Sequence, residues 1–290
     1  MIGFCILNYQ NYDLSIKCSE SIFKVNALDN NLFIVLIVDN GSSNDSYSKL
    51  KEYAISRNNL VVVRTSKNLG FANGNNFGYN YLKNNYKLDL ICFLNSDTIL
   101  DYSFSITTLN EIRQNNDFDI LAPDIINSNG IHQNPLRETE LTLKDIRKSL
   151  LKSRILLSLL RIPLLSKCVL KKYASDKKNK VERESMNLKS FNHTNFVPHG
   201  ACIIVSNKWI EKEKFVFLTD TFLYAEEDFL YAYCKKKGYK ILFSGLIIIY
   251  HMEDGTLNYL QKNVRKRLIF SLHNQIESLR KLLKYRKESR

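Results

Sequence analysis

The sequence has no run approaching the roughly 20 uninterrupted apolar residues that a membrane-spanning helix needs. Its first segment, MIGFCILNYQNYDLS, has no basic stretch before the apolar run and no small-residue cleavage site after it, so it reads as a first strand and not as a signal peptide. No internal repeat is present. The six cysteines (Cys5, Cys18, Cys92, Cys168, Cys202, Cys234) form no C-x-x-C pair. Buried free thiols in a reducing cytosol are the reading that this scatter supports. Neither a Walker loop nor G-x-G-x-x-G occurs, and no nucleic-acid reader motif is found.

What is present is a chain of 290 residues, 44% of them hydrophobic. That is enough for one large α/β domain with an appendage. The net charge of +13 and the pI near 9.3 admit three partners: nucleic acid, an anionic membrane surface or an anionic substrate. Much of the excess lies in residues 144–180 and 263–290 and little in the first 120, which argues against nucleic acid.

Residues 1–125 alternate between strand and helix patterns. Strands are expected at 2–7, 32–38, 60–64, 88–94 and 119–122. Helices are expected from Asp13 as N-cap to 23, and at 45–56, 71–82 and 103–114. This order predicts a mostly parallel sheet with right-handed crossovers. Residues 138–190 break the pattern and read as a helical, basic insertion whose polar end, 175–190, is a loop. The core resumes at 195–206, followed by a helix over 227–237 stopped by Gly238, a strand pair within 241–251 and a long helix over 257–285. The division that follows is 1–137 and 191–256 as two halves of one domain, 138–190 as the insertion and 257–290 as a basic C-terminal helix.

Ligands in open α/β sheets bind beyond the carboxyl ends of the strands. Four polar clusters fall there: Asn8-Tyr9, Asp39-Asn40, the loop from Asn68 through Gly70 and Asn73 to Asn76, and Asn95-Ser96-Asp97. Each alone would pass for a polar turn, but together they would gather in one crevice. The oxygen-rich tip at Asn95–Asp97 suits Mg²⁺ or Mn²⁺, with a diphosphate completing the shell; the plain alternative is a helix cap. Glu226-Glu227-Asp228 open a helix, where acids are favourable in any case. One of them facing inward would suit a general base. His251, at the end of an apolar run, gains importance only if the fold brings it to Asp97.

These motifs, in this order, resemble family 2 glycosyltransferases with the GT-A fold, a Rossmann-like α/β architecture. They are most similar to the rhamnosyltransferase-like branch of bacterial polysaccharide synthesis, including O-antigen and capsule. The matching pieces are Asn8-Tyr9, residues 38–43 and 68–76, Leu94-Asn95-Ser96-Asp97, Gly200-Ala201-Cys202, Phe222 to Asp228, Gly238-Tyr239 and His251. The resemblance implies that Asp39 contacts the nucleotide base, with Asn8 and Asn40 shaping that pocket. Asn68, Gly70 and Asn73 would line the nucleotide-sugar site. Asn95 and Asp97 would match the D-x-D element beside Ser96, with Asp97 and His251 as metal ligands. The register to Leu230 and Gly238 makes Glu227 the base and Asp228 the runner-up, with a glutamate where aspartate is usual.

The implied activity is inverting, Mn²⁺- or Mg²⁺-dependent transfer from a nucleoside-diphosphate sugar to a glycan or lipid-linked acceptor. A non-catalytic GT-A-like binding protein is the alternative. The expected location is the cytoplasm, with residues 144–172 attaching the protein to the anionic inner face of the cell membrane; a helical hairpin packed on the core is the competing reading of that segment.

Overall fold

A computed structural model describes residues 1–27, 32–180, 194–218, 221–253 and 263–288, with side chains left out of account at 172–180. The elements are β1 (Ile2–Asn8), α1 (Tyr12–Val25), β2 (Phe33–Asp39), α2 (Ser46–Ala54), β3 (Leu60–Arg64), α3 (Gly70–Asn85), β4 (Leu90–Asn95), β5 (Thr98–Leu100), α4 (Ile106–Asn115), β6 (Ile120–Asn127), α5 (Leu143–Arg161), α6 (Pro163–Lys180), β7 (Cys202–Ser206), α7 (Asn207–Lys212), α8 (Glu226–Lys237), β8 (Ile241–His251) and α9 (Val264–Glu288). The eight strands form one sheet in the order β3-β2-β1-β4-β7-β6-β8-β5.

The first half is what the apolar runs demand. β1, β2, β3 and β4 are parallel, and β2 is buried along its whole length, as a strand covered on both faces must be. The chain leaves β1 toward β2 on one side and returns to β4 on the other. That reversal opens a crevice at the carboxyl ends. The expectation of a mostly parallel sheet needs qualification beyond β4. There β7 runs antiparallel to both β4 and β6, and β5 antiparallel to β8, so the sheet is mixed. One apolar cluster on each face forms the core.

Several local readings are corrected. Asn11, not Asp13, caps α1, its side chain accepting from the Leu14 N–H; Asp13 sits in the first turn, where it meets the helix dipole. The expected strand pair within 241–251 is one strand, β8, whose register against β6 shifts between Pro123 and Asp124. The bulge lets the strand keep running where Ser244 and Gly245 suggest a turn. Residues 175–180 continue α6, where a loop is expected; residues 181–190, and the expected helical start at 257–262, lie outside the described residues.

The insertion packs on the body. Thr142 and Asp145 start α5 with a reciprocal capping box. Ile146, Leu150, Leu157 and Leu160 then pack with Leu268, Leu272, Ile276 and Leu279 of α9, and with Phe229 of α8, in a third apolar cluster. The Ser153 hydroxyl donates to Gln275 Oε1 at 3.0 Å across the same contact. Among the described residues no helix is long and apolar enough to cross a membrane.

Candidate functional site

Strand register alone brings the first polar clusters together. Asn8 pairs with Asp39, and Leu7 with Asn95. Asn8 is buried; its Nδ2 donates to Asp39 Oδ1 at 2.9 Å, and its Oδ1 accepts from the Ser15 hydroxyl at 2.9 Å. The other Asp39 oxygen accepts from the Ser42 N–H at 3.3 Å and meets Arg64 Nε at 3.2 Å. Asn40 ties this turn to the next loop, donating to the Gly70 carbonyl at 3.0 Å and accepting from the Leu69 N–H at 3.0 Å. Asn68 Oδ1 accepts from the Gly70 N–H at 2.8 Å. Gly70 has φ +79°, and a Cβ there would overlap the Phe222 carbonyl, which accepts from the Phe71 N–H at 2.8 Å. Glycine is therefore what lets the first half touch the segment leading to the acids. Asn73 lies in the first turn of α3, half-buried.

Asn40, Asn68, Gly70 and Phe71 line a cavity of about 320 Å³ together with Leu7, Tyr9, Asn95, Ser96, Asp97, Phe222, Leu223, Tyr224 and Phe270; Asn8 and Asp39, buried against each other, and Asn73 are not in its lining. Phe270 comes from α9, the helix with no counterpart among the matching motifs, and its ring lies edge-on to Phe222.

The second half folds back onto the same edge. β5 follows Asp97 and pairs with the end of β8, setting Thr98 opposite His251, and the Met252 N–H donates to the Asp97 carbonyl at 2.9 Å. His251 Nε2 thereby comes to 3.5 Å from Asp97 Oδ1, both side chains largely buried. A carboxylate oxygen and an imidazole nitrogen at this separation suit a shared divalent cation, and the nitrogen favours Mn²⁺ over the harder, oxygen-seeking Mg²⁺. Among the described residues no group of three or more His, Cys, Asp or Glu could hold a metal, so most of a shell would come from diphosphate and water. Sequence reasoning missed His199, whose ring lies edge-on to His251 at 5.4 Å between centroids. Its Nδ1 accepts from the Ala201 N–H at 3.1 Å, and burial, with His251 adding, pushes its pKa down to about 4.

The three acids at the start of α8 have three different surroundings. Glu226 is buried and accepts from the Thr221 hydroxyl at 3.0 Å; burial, then the charge of Glu227, pushes its pKa up to about 8. Asp228 is bound to Arg137 Nη2 at 2.5 Å, and burial raises its pKa against that partner. Glu227 rests on Gly200: a Cβ there would lie 2.5 Å from its Oε1. Burial first, then Asp228, raise the Glu227 pKa, and Arg137 opposes them. Gly200 is flanked by His199, which packs on His251, and by Ala201, whose carbonyl accepts from the Asn95 N–H at 3.0 Å. Glu227 is thus linked to the Asp97–His251 pair through the segment His199–Ala201. Tyr224 and Ala225 both have left-handed backbones, φ +75° and +66°, turning the chain sharply so that α8 begins at the edge.

The sequence pattern described as "Glycosyl transferase family 2" matches residues 4–211. The chain belongs to this family. Solved structures agree on the fold. "S. aureus TarS 1-349" is similar at TM-score 0.53 and 12% identity, over 94% of this chain and 71% of that one. The same protein "in complex with UDP-GlcNAc" gives 0.51 and 13%, over 94% and 72%. "GalNAc-T7 with UDP, GalNAc and Mn2+" gives 0.56 and 11%, over 87% of this chain and 44% of that one, so this chain spans less than half its length. No curated protein matches. The family-2 chain thus has the GT-A glycosyltransferase fold with a mixed sheet, and by family it is a glycosyltransferase.

Proposed function

We propose that the protein is an inverting, divalent-metal-dependent glycosyltransferase. It moves a sugar from a nucleoside-diphosphate donor to a hydroxyl of a glycan or lipid-linked saccharide in surface polysaccharide synthesis. The observation that carries this reading is that Asp97 lines the cavity and meets His251, while Glu227 rests on Gly200, next to the His199 that packs on His251. The nucleotides in the TarS and GalNAc-T7 structures support the donor class, and the Mn²⁺ in the latter supports the metal.

Glu227 takes the proton from the acceptor hydroxyl. That oxygen bonds to the anomeric carbon from the face opposite the nucleoside diphosphate, and the electron pair of the breaking C–O bond leaves with the diphosphate. Asp228 is bound to Arg137 and Glu226 to Thr221, which leaves Glu227, resting against Gly200, as the acid assigned to the base. A divalent cation held by Asp97 and His251 would offset charge on the departing diphosphate. The donor lies in the cavity between Tyr9, Asn68 and Phe270. Asp97→Ala should abolish transfer while the protein stays folded, and EDTA should do the same to the wild type. Full transfer in excess EDTA would overturn the metal dependence. A folded wild type that binds donors yet never transfers would make it a non-catalytic binding member of the family.

We further propose that it works in the cytoplasm at the inner face of the cell membrane. α5 turns Leu157 and Leu160 inward, but Leu151, Ile155, Ile162, Leu164 and Leu165 are exposed, Leu164 at 77%. Lys144, Lys148, Lys152 and Arg154 surround them in exposed positions, a combination suited to anionic headgroups over shallow acyl contacts. Leu151→Ser with Ile155→Ser and Leu164→Ser should abolish flotation with anionic liposomes and leave folding intact. Flotation that survives these changes would contradict it. Leu157 and Leu160 are poor probes, since each large-to-small change there costs about 2–5 kcal/mol of core packing.

A further inference from the structure

His251 is clamped on both ring nitrogens. Beyond Nε2, which faces Asp97, its Nδ1 lies 2.8 Å from Gln133 Oε1, and Gln133 Nε2 donates to Glu253 Oε1 at 2.7 Å. The segment bearing Gln133 is well braced. Asn127 Oδ1 accepts from the N–H groups of Asn129 and Ile131, each at 3.0 Å, and Gly130, at φ +75°, lets the chain reverse. The returning strand bridges His132 to Ile126, and the Gln133 N–H donates to the Ile125 carbonyl at 2.7 Å. His132 Nδ1 meets both Asp124 oxygens at 2.8–2.9 Å on the same turn. His251 is paired with Asn127 on one side and Thr98 on the other.

For a neutral His251 ring the donor and acceptor inventory has one consistent solution. An ionised carboxylate only accepts, so Glu253 takes the amide N–H of Gln133. The amide oxygen is left facing His251. It too only accepts, so the ring proton sits on Nδ1. A neutral imidazole in that state presents its Nε2 lone pair to Asp97 Oδ1 at 3.5 Å, beyond the 2.7–3.2 Å range of an N–H···O bond. Flipping the amide would set two acceptors against each other at 2.7 Å. Two electron-rich atoms facing each other across 3.5 Å are what a shared cation requires.

We propose that Gln133, oriented by Glu253, is a positioning residue that fixes His251 in the Nδ1–H tautomer and so prepares the cation site at Asp97 before the donor arrives. The inference rests on the metal-dependent reading above, and its test separates the two. In the metal-free full chain, brought to a pH at which the His251 ring carries a single proton, ¹⁵N–¹H correlation spectra of the imidazoles, with His251 assigned through His251→Asn, should show that proton on Nδ1. Gln133→Leu keeps bulk but offers no acceptor; it should shift His251 toward the Nε2–H form and weaken Mn²⁺ binding about 10- to 100-fold, read by EPR with UDP present. A wild-type His251 in the Nε2–H form overturns the proposal without needing any variant. So does Gln133→Leu with unchanged tautomer and unchanged Mn²⁺ affinity. A wild type that binds no Mn²⁺ but shows the Nδ1–H form, lost in Gln133→Leu, would sustain the positioning role and sink the metal dependence instead.

Discussion

Gly200→Ala is the sharpest perturbation the structure offers. Gly200 has an ordinary φ, so alanine meets no backbone penalty there, but its methyl carbon would lie 2.5 Å from Glu227 Oε1. Ordinary contact begins near 3.4 Å, so the carboxylate must retreat by about 0.9 Å. A base displaced by about that distance loses on the order of 10²-fold in rate, roughly 2.7 kcal/mol of barrier. The cavity proposed for the donor does not include Gly200, so donor binding should hardly change. Steady-state kinetics with varied donor would show kcat falling about 10²-fold and donor KM moving by less than about threefold. The same substitution in a Glu227→Gln background should cost little more, because the group it displaces is already inert. Wild-type activity in Gly200→Ala, or an equal loss in both backgrounds, would refute the placement of Glu227 as base.

Two further outcomes follow from the entry to α8. Glu226 has its pKa raised to about 8 from 4.5, so the stability it contributes is present below its unfolded value and is lost as pH rises toward 8. Glu226→Gln should therefore gain Tm over the wild type between pH 5 and pH 9, and a constant difference would contradict the shift. Ala225 is held at φ +66°, where alanine is strained and glycine is not. Ala225→Gly should raise stability by about 0.5 kcal/mol, the strain relieved exceeding the entropy that glycine adds to the unfolded chain, and denaturant unfolding would show it. A loss of stability would mean that the turn is not strained.

The first half of the site was legible because its strands are apolar runs ending in polar residues. Parallel pairing in register then brings Asn8, Asp39 and Asn95 to one edge. The second half was less legible because its signals are short or interrupted. β5 is three residues long, and β8 passes a bulge where Ser244 and Gly245 suggest a turn. The supporting residues were harder still. Gln133 meets His251 across 118 residues and Arg137 meets Asp228 across 91, contacts that depend on antiparallel additions to the sheet and leave no local pattern. Phe270 sits on a helix whose apolar spacing marks its core face, and nothing in that spacing signals the cavity. The acids at 226–228 were visible as a run, but only their separate partners, Thr221, Gly200 and Arg137, tell them apart.

The most direct test compares sugar transfer by the wild type, Glu227→Gln and Asp228→Asn. A panel of nucleoside-diphosphate sugars with Mn²⁺ and candidate glycan acceptors would be used, reading both nucleoside-diphosphate release and product anomeric configuration. One donor should be turned over with inversion. Glu227→Gln should be slower by about 10² or more with donor binding kept, and Asp228→Asn should retain more activity. A wild type that transfers no sugar from any donor, a retained configuration, or a reversed order of the two variants would contradict the account.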